Sequence, residues 1–301
     1  MKTIFLIPIQ NDYQSAAILV EHITKSFKKD DNNFVLVIDD GSSAEQLRIG
    51  RDLLDHKNVL IETTSYKSGH QNAVFFGLSQ IEKRFPGFNV VILDGDGEDK
   101  AIDAIELANR IDSQSDSFVI LATRGTRDVG TGFRIGYFFY TIFFKRLTGK
   151  NLRSGNFMAI PESKVKNVLN FPGIRLHIAA AIVRYEPDIT YIEFNRGSRI
   201  AGNSRMNLAS LTLHAYGAFS VFSDVVLARF CLFLFMVSSF LSAVVIGVFA
   251  LKVTNVFGGI PGWTSLFILQ ISATIAVLLS IAFIGLMLQL RIPVNVKNSQ
   301  D

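Results

Sequence analysis

Two carboxylates two residues apart, at the end of an apolar run, are the sharpest chemical signal in the chain. Val90-Val91-Ile92-Leu93 is followed by Asp94-Gly95-Asp96-Gly97-Glu98-Asp99. Carboxylates that close repel one another unless a hard cation sits between them. Mg2+ and Mn2+ prefer oxygen ligands and commonly take one or two carboxylates together with phosphate oxygens. Asp94 and Asp96 are therefore candidate ligands for Mg2+ or Mn2+, with a plain solvated acidic turn as the alternative. An EF-hand calcium loop needs Glu at its twelfth position, where this chain has Ile105, and is excluded. Two other apolar runs also end in polar clusters: Pro8-Ile9-Gln10-Asn11-Asp12 and Asp39-Asp40-Gly41-Ser42.

Several other chemistries are absent. The segment from Gly130 to Gly136 has one residue too many for G-x-G-x-x-G and follows the fifth predicted strand, not the first. No Walker A, G-x-S-x-G or H-E-x-x-H sequence occurs, which removes P-loop, serine-hydrolase and zincin readings. The single Cys excludes a disulfide framework and every multi-cysteine metal site. A net charge of +4 over 301 residues gives no reason to expect nucleic acid as a partner.

The elements that must hold these clusters alternate along the first part of the chain. Short apolar runs at 3–9, 34–40, 58–62, 88–94 and 118–124 read as strands. Helical patterns at 15–27, 44–55, 70–84 and 100–112 separate them. Alternation at this spacing predicts an α/β fold with a mostly parallel, doubly wound sheet and helices on both faces. Such sheets bind ligands at the carboxyl ends of their strands, where the three polar clusters stand.

The composition adds a second environment. Hydrophobic residues make up 49% of the chain and charged ones only 19%. The excess lies near the C-terminus, in Phe230–Leu251 (about 22 residues) and Ser265–Leu290 (about 26), both without charge. Roughly 20 apolar residues cross the hydrocarbon core of a bilayer, so two transmembrane helices are predicted. A pair of long buried core helices is the alternative. Between them, Lys252–Thr264 is a short Gly- and Pro-rich turn with Trp263 at an interfacial position. Arg229, Arg291 and Lys297 flank the pair on one side, and Lys252 is the only charge in the turn. The positive-inside rule then puts the N-terminal domain and the tail in the cytoplasm of a multi-pass inner-membrane protein. Cys231, inside the first span, is expected as a lone reduced or lipid-facing thiol. The opening MKTIFLIPIQND reads as a first strand and not as a signal peptide.

Phe133–Leu147 (FRIGYFFYTIFFKRL) carries aromatics on most faces with cations at its ends, and Asn207–Arg229 is a second segment of that kind. Both could lie in the bilayer interface or pack as core against the sheet. The resulting division is a domain of 1–205, a juxtamembrane amphipathic helix at 206–228, two transmembrane helices within 229–291, and a tail at 292–301.

In order along the chain, IPIQND, VIDDGSS, SGHQNAVFFGL, LDGDGED and RGSRIAGNSRMN resemble the motifs of the family-2 glycosyltransferases of GT-A fold. The resemblance covers most of the chain. It is similar in particular to the polyprenyl-phosphate branch, which includes dolichol-phosphate mannose synthase and bacterial glucosyl transferases that modify O-antigen. The resemblance implies a nucleotide-sugar donor (UDP, GDP or dTDP type), a polyprenyl phosphate acceptor, contact with a lipid bilayer, and a homo-oligomer such as a tetramer. It implies that Asp39 and Asp40 end the nucleotide-binding strand, with Asp40 on the nucleoside and Pro8 and Asn11 lining the base and ribose pocket. Asp96, helped by Asp94, would hold the metal on the diphosphate. His70 would reach that diphosphate from a helix N-terminus, where anions bind, or serve as an ordinary surface residue. Arg199 and Arg205, and less so Arg196, would neutralise the leaving diphosphate or an acceptor phosphate, or else form a basic patch for anionic lipid.

One position departs from the family. Ser154-Gly155-Asn156-Phe157-Met158-Ala159 stands where T-G-D-F-R-L is common, so Asn156 replaces the usual catalytic carboxylate. An amide cannot take up a proton, as a sugar hydroxyl acceptor would require. A phosphate monoester is already largely ionised at neutral pH. Asn156 therefore fits a phosphate acceptor that it positions and does not activate. A hydroxyl acceptor with another base (Asp99 or Asp128), and a nucleotide-sugar-binding pseudoenzyme, are the competing readings. A processive polysaccharide synthase is disfavoured by the absence of Q-x-x-R-W.

Overall fold

The computed structural model describes residues 2–28, 32–113, 118–124, 131–200, 208–254 and 262–290. The chain divides into two units, Met1–Val221 and Phe222–Asp301.

Among the described residues the first unit is built on seven strands: β1 (Thr3–Ile9), β2 (Phe34–Asp39), β3 (Val59–Thr63), β4 (Asn89–Ile92), β5 (Val119–Arg124), β6 (Ser154–Ile160) and β7 (Ile189–Phe194). They form one sheet in the order β3-β2-β1-β4-β6-β5-β7. The pairs β3/β2, β2/β1, β1/β4 and β5/β7 are parallel. β6 runs antiparallel to both its neighbours. The alternation predicted from the sequence is present through β5, and the sheet is mostly parallel. β6 is the exception, because the direction of a short apolar strand depends on a distant partner and leaves no local mark. Its reversal has a consequence for chemistry. With Ile92 paired to Met158, the start of β6 lies beside the carboxyl end of β4.

Every residue of β1 is buried, as expected of a strand covered on both faces. On one face Phe5, Ile7, Val35, Val37 and Val91 pack with Ala16 and Leu19 of α1 (Tyr13–Lys25) and Leu107 of α4 (Ala101–Ser113). α2 (Ala44–Leu53) lies against α1, starting from a Ser43 side chain that caps Gln46 N–H. The other face is covered by α3 (His70–Arg84). Gly77 lets α3 approach closely: a Cβ there would stand 2.4 Å from Leu6 Cδ1 and 3.0 Å from Ile38 Cγ1. The seat of α3 on β1 and β2 in turn fixes its first residue, His70, at the carboxyl edge of the sheet. α5 (Thr131–Thr148), α6 (Glu162–Leu169), α7 (Ile178–Tyr185) and α8 (Leu208–Val221) complete the unit, with Phe219 of α8 against Tyr140 and Phe144 of α5.

The second unit consists, among the described residues, of α9 (Ser223–Val253) and α10 (Trp263–Leu290). Both are long and apolar enough to cross a bilayer, and only 11% and 6% of their most apolar windows are buried. Leu227 meets Gly285 and Cys231 meets Ala282, so the two helices run antiparallel. Cys231 is buried at this seam, where its thiol donates to Ala282 O, and it does not face outward as the sequence reading allowed. α9 also begins earlier than the predicted first span, at Ser223. Nothing from 223 to 229 breaks a helix, and Asp224 in the first turn favours a start there.

Candidate active site

Several chain segments converge at the carboxyl ends of β1, β2 and β4: the loops after these strands, the start of α3, the start of β6, and the stretch after β7. Asp94 and Asp96 follow β4, where a positive φ of 82° at Gly97 turns the loop back. Asp94 Oδ1 lies 3.4 Å from His70 Nε2. Asp96 Oδ1 accepts from Glu98 N–H at 2.9 Å, and its Oδ2 accepts from Arg199 Nη2 at 2.7 Å. Burial, and then the neighbouring Asp94 charge, push the Asp96 carboxyl above its usual range, opposed by Arg199 and Arg196. Two like charges driven together in this way are an arrangement that a cation relieves.

The residues after β7 lie across this acidic loop. Gly197 N–H donates to Glu98 O at 2.8 Å and Ile200 N–H to Asp96 O at 3.0 Å. Gly197 sits so close that a Cβ there would be 3.0 Å from Gly97 O. This zipper brings Arg196 onto Glu98, and Arg199 to Asp96 with Asp12 at 3.8 Å and Glu98 at 3.9 Å. Both guanidinium groups are thus paired with carboxylates of the acidic loop. Arg205 lies outside the described residues, as does Asp128.

Asn156 is buried, 9% exposed, at the start of β6. It links His70 Nε2 (2.7 Å) and Gln71 Nε2 (3.0 Å). Gln71 carried no signal in the sequence beyond its place beside His70, and only the folded chain makes it a partner of Asn156. Asp99, considered as an alternative base, is buried and accepts from Asp94 N–H at 3.2 Å.

The residues expected at the nucleoside bond to neighbouring loops of the chain. Asp40 Oδ1 accepts from Ser68 N–H (2.7 Å) and Ser68 Oγ (2.8 Å), and Oδ2 accepts from Gly69 N–H (2.8 Å). Its carboxylate holds the loop that launches α3. Asp39 accepts from Ser42 N–H at 3.1 Å, while its buried Oδ2 has no hydrogen-bond partner among the described residues. Asn11 has φ 51°, donates its N–H to Ser42 Oγ at 2.7 Å and accepts from Ser43 N–H at 2.7 Å. Asn11 thus ties the loop after β1 to that after β2. Pro8 is buried in β1, paired with Ile38. His177 caps α7 through Nδ1 (Ala180 N–H, 3.2 Å), and its ring lies 4.3 Å from that of His214, tilted by 40°. Burial above all, then the charge of His214, pull its pKa down to about 3.

Comparison with known proteins gives a consistent result. Residues 4–168 match the model of a family described as "Glycosyl transferase family 2", which is more than half of the chain. The fold is similar to glucosyl-3-phosphoglycerate synthase from Mycobacterium tuberculosis in complex with Mn2+, uridine diphosphate and phosphoglyceric acid. That likeness has a TM-score of 0.54 and 12% identity, over 75% of this chain and 78% of the other. The same enzyme with Mg2+ and uridine diphosphate aligns with a TM-score of 0.54 and 12% identity, over 74% and 79% of the two chains. A structure described only as a mycobacterial protein gives a TM-score of 0.55 and 13% identity over 74% of each chain. No curated protein matches the chain by sequence.

Proposed function

We propose, from the premise that this chain belongs to glycosyl transferase family 2 and is a glycosyltransferase, that it moves a sugar from a nucleotide-sugar onto a polyprenyl phosphate at a membrane. The observation that carries this reading is Asn156. It occupies the place of the family's usual base, is buried, and is fully engaged by His70 and Gln71. Transfer to a hydroxyl needs a group that takes its proton. A phosphate monoester arrives as its own nucleophile.

The donor diphosphate belongs at the start of α3, where free amide N–H groups and the helix dipole favour anions. Asp94 and Asp96 suit a divalent ion, Mg2+ or Mn2+, because two crowded carboxylates at a partly buried site need a positive partner. When bound, that ion supplies positive charge to the leaving diphosphate. Arg199 and Arg196 supply further charge once a phosphate competes for them, since guanidinium groups take phosphate oxygens in pairs. In the transfer itself, an acceptor phosphate oxygen bonds to the anomeric carbon as the bond to the nucleoside diphosphate breaks, inverting the centre. Asn156 holds the approach open without entering the proton balance. The donor is of the UDP, GDP or dTDP type.

The membrane part of the reading rests on α9 and α10 and on α5. Phe138 and Phe143 of α5 are each 59% exposed, with Tyr137, Phe139 and Ile142 also exposed. An exposed aromatic face ending in Lys145 and Arg146 suits a helix lying in the headgroup layer. With Arg229 on one side of the hairpin and Lys252 alone in the turn, the catalytic unit is cytoplasmic. The division of the chain at 1–205, 206–228 and 229–291, and a tetrameric assembly, belong to the same reading.

The test is transfer by the purified full chain in detergent, using labelled nucleotide-sugars of the three types, Mg2+ or Mn2+, and undecaprenyl phosphate. Label entering the organic phase supports the reading. Asp96→Ala is expected to lower that transfer about 10²–10³-fold, as loss of an electrostatic stabiliser does. Transfer only to a hydroxyl acceptor, nucleotide binding without transfer, or full activity in Asp96→Ala would each defeat it.

A further inference from the structure

The polar chain behind His70 has a direction, and it can be followed from one end. The backbone N–H of Ile178, the first residue of α7, can only donate, and it donates to Gln71 Oε1 at 2.7 Å. The other end of the Gln71 amide is therefore nitrogen, and it donates to Asn156 Oδ1 at 3.0 Å. Asn156 must then present its own amide nitrogen to His70 Nε2, 2.7 Å away. An amide nitrogen has no lone pair to offer, so Nε2 accepts, and the ring hydrogen of a neutral His70 is on Nδ1. Each link is fixed by the one before it, and the first is a backbone group that cannot flip.

Two consequences follow for the chemistry. The Nε2 lone pair of His70 is already used by Asn156. Asp94 Oδ1, 3.4 Å from the same nitrogen, then faces a lone pair and not a hydrogen. An aspartate at position 156 would do the reverse, accepting from both Gln71 and His70 and turning the ring hydrogen onto Nε2. His70 itself is the first residue of α3, with 40% of its side chain exposed, so Nδ1–H has access to an anion at the helix start.

We propose that Gln71 and Asn156 are positioning residues that hold His70 as a hydrogen-bond donor through Nδ1 and withhold its Nε2 from acting as a base. This rests on the function proposed above and deepens it. His70 then offers a donor to phosphate oxygens and withholds its Nε2 from a hydroxyl, which suits an acceptor that enters as an anion.

The experiment reads the ring directly. Full-length protein labelled with nitrogen-15 histidine is examined by NMR in micelles, with His70→Gln identifying the resonance. The expected pattern is protonated Nδ1 and bare Nε2. In Gln71→Glu the introduced carboxylate still accepts from Ile178 but also demands a donor from Asn156, which turns its amide so that its oxygen meets His70. The pattern is expected to reverse, and kcat/KM to fall about tenfold to a hundredfold, without a matching loss of melting temperature. Asn156→Asp should reverse the pattern in the same way if the first variant folds poorly. Adding UDP, GDP and dTDP in turn with Mg2+ should shift the Nδ1–H signal with whichever one binds. A wild-type ring protonated on Nε2, or variants that keep both pattern and kcat/KM, would overturn the proposal. Likewise, no Nδ1–H response to a diphosphate that calorimetry shows to bind would overturn the donor role. A wild type that shows the expected pattern and response but does not glycosylate undecaprenyl phosphate counts against the acceptor reading alone.

Discussion

Leu6 in β1 is fully buried, whereas Leu269 in α10 is 67% exposed. The same contrast holds along whole elements. All seven residues of β1 are inside, while Leu232, Met236, Phe240 and Leu266 on α9 and α10 are each more than 60% exposed. In the first unit, the sheet's apolar side chains are removed from water by strands and helices of the same chain, and the acidic clusters stand at strand ends. In the second, apolar side chains point outward from two helices that meet where Cys231, Ala282 and Gly285 let Leu227, Leu234 and Leu278 pack between them. A small-residue seam with an apolar exterior is how helices associate when the surrounding medium is itself apolar. Burial within the chain measures how well a leucine is satisfied only where the solvent is water, and the bilayer proposed for α9 and α10 is what would satisfy Leu269.

That contrast can be broken from either side. The largest effect should come from Leu6→Ala, which empties a closed site and is expected to cost about 2–5 kcal/mol. Leu269→Ala in micelles should stay within about 0.5 kcal/mol. Thermal or denaturant melts of the two variants in one detergent make the comparison, and equal losses would mean that α10 is a core helix. Next in size, Phe240→Arg places a charge in the middle of α9 and should cost about 2.5–3.5 kcal/mol of insertion, seen as loss from the membrane fraction. A variant that partitions like the parent protein would argue against a span.

The smallest effect sharpens the polar side of the first unit. His177 is buried neutral, with its pKa pulled from 6.5 to about 3. Between those values the unfolded chain binds the proton and the folded one does not. Stability is therefore complete above about pH 6.5 and is lost as pH falls, by about 1.4 kcal/mol at about pH 5.5. His177→Asn keeps a side chain that can cap α7 and has no proton to gain. Melting temperatures across this range should slope for the parent protein and flatten for the variant.

Much of the site was legible because strand ends announce themselves. An apolar run that stops at Asp39-Asp40-Gly41 or at Asp94-Gly95-Asp96 must leave its carboxylates at the sheet edge, and the structure has them there. The arginines after β7 were legible as charges that need a partner, but their seat on Asp96 and Glu98 required the backbone zipper of Gly197 and Ile200. The roles of Asp40 and Asn11 were read from the position of their motifs. Within the chain their hydrogen bonds go to the loops that shape the edge. Such bonds join residues 28 to 32 positions apart and have no signature in either segment alone.

What the sequence determined by itself is local: the alternation of strands and helices, the length of two apolar helices, the pairing of acids at a strand end, and membership of a glycosyltransferase family. Periodicity and turn chemistry act over a few residues, so they can be read in order along the chain. The tertiary structure alone decided that β6 runs backwards, that Asn156 therefore meets His70 across 86 positions, and that an amide of α7 orients both through Gln71. Hydrogen-bond direction is passed between groups that only folding brings within 3 Å.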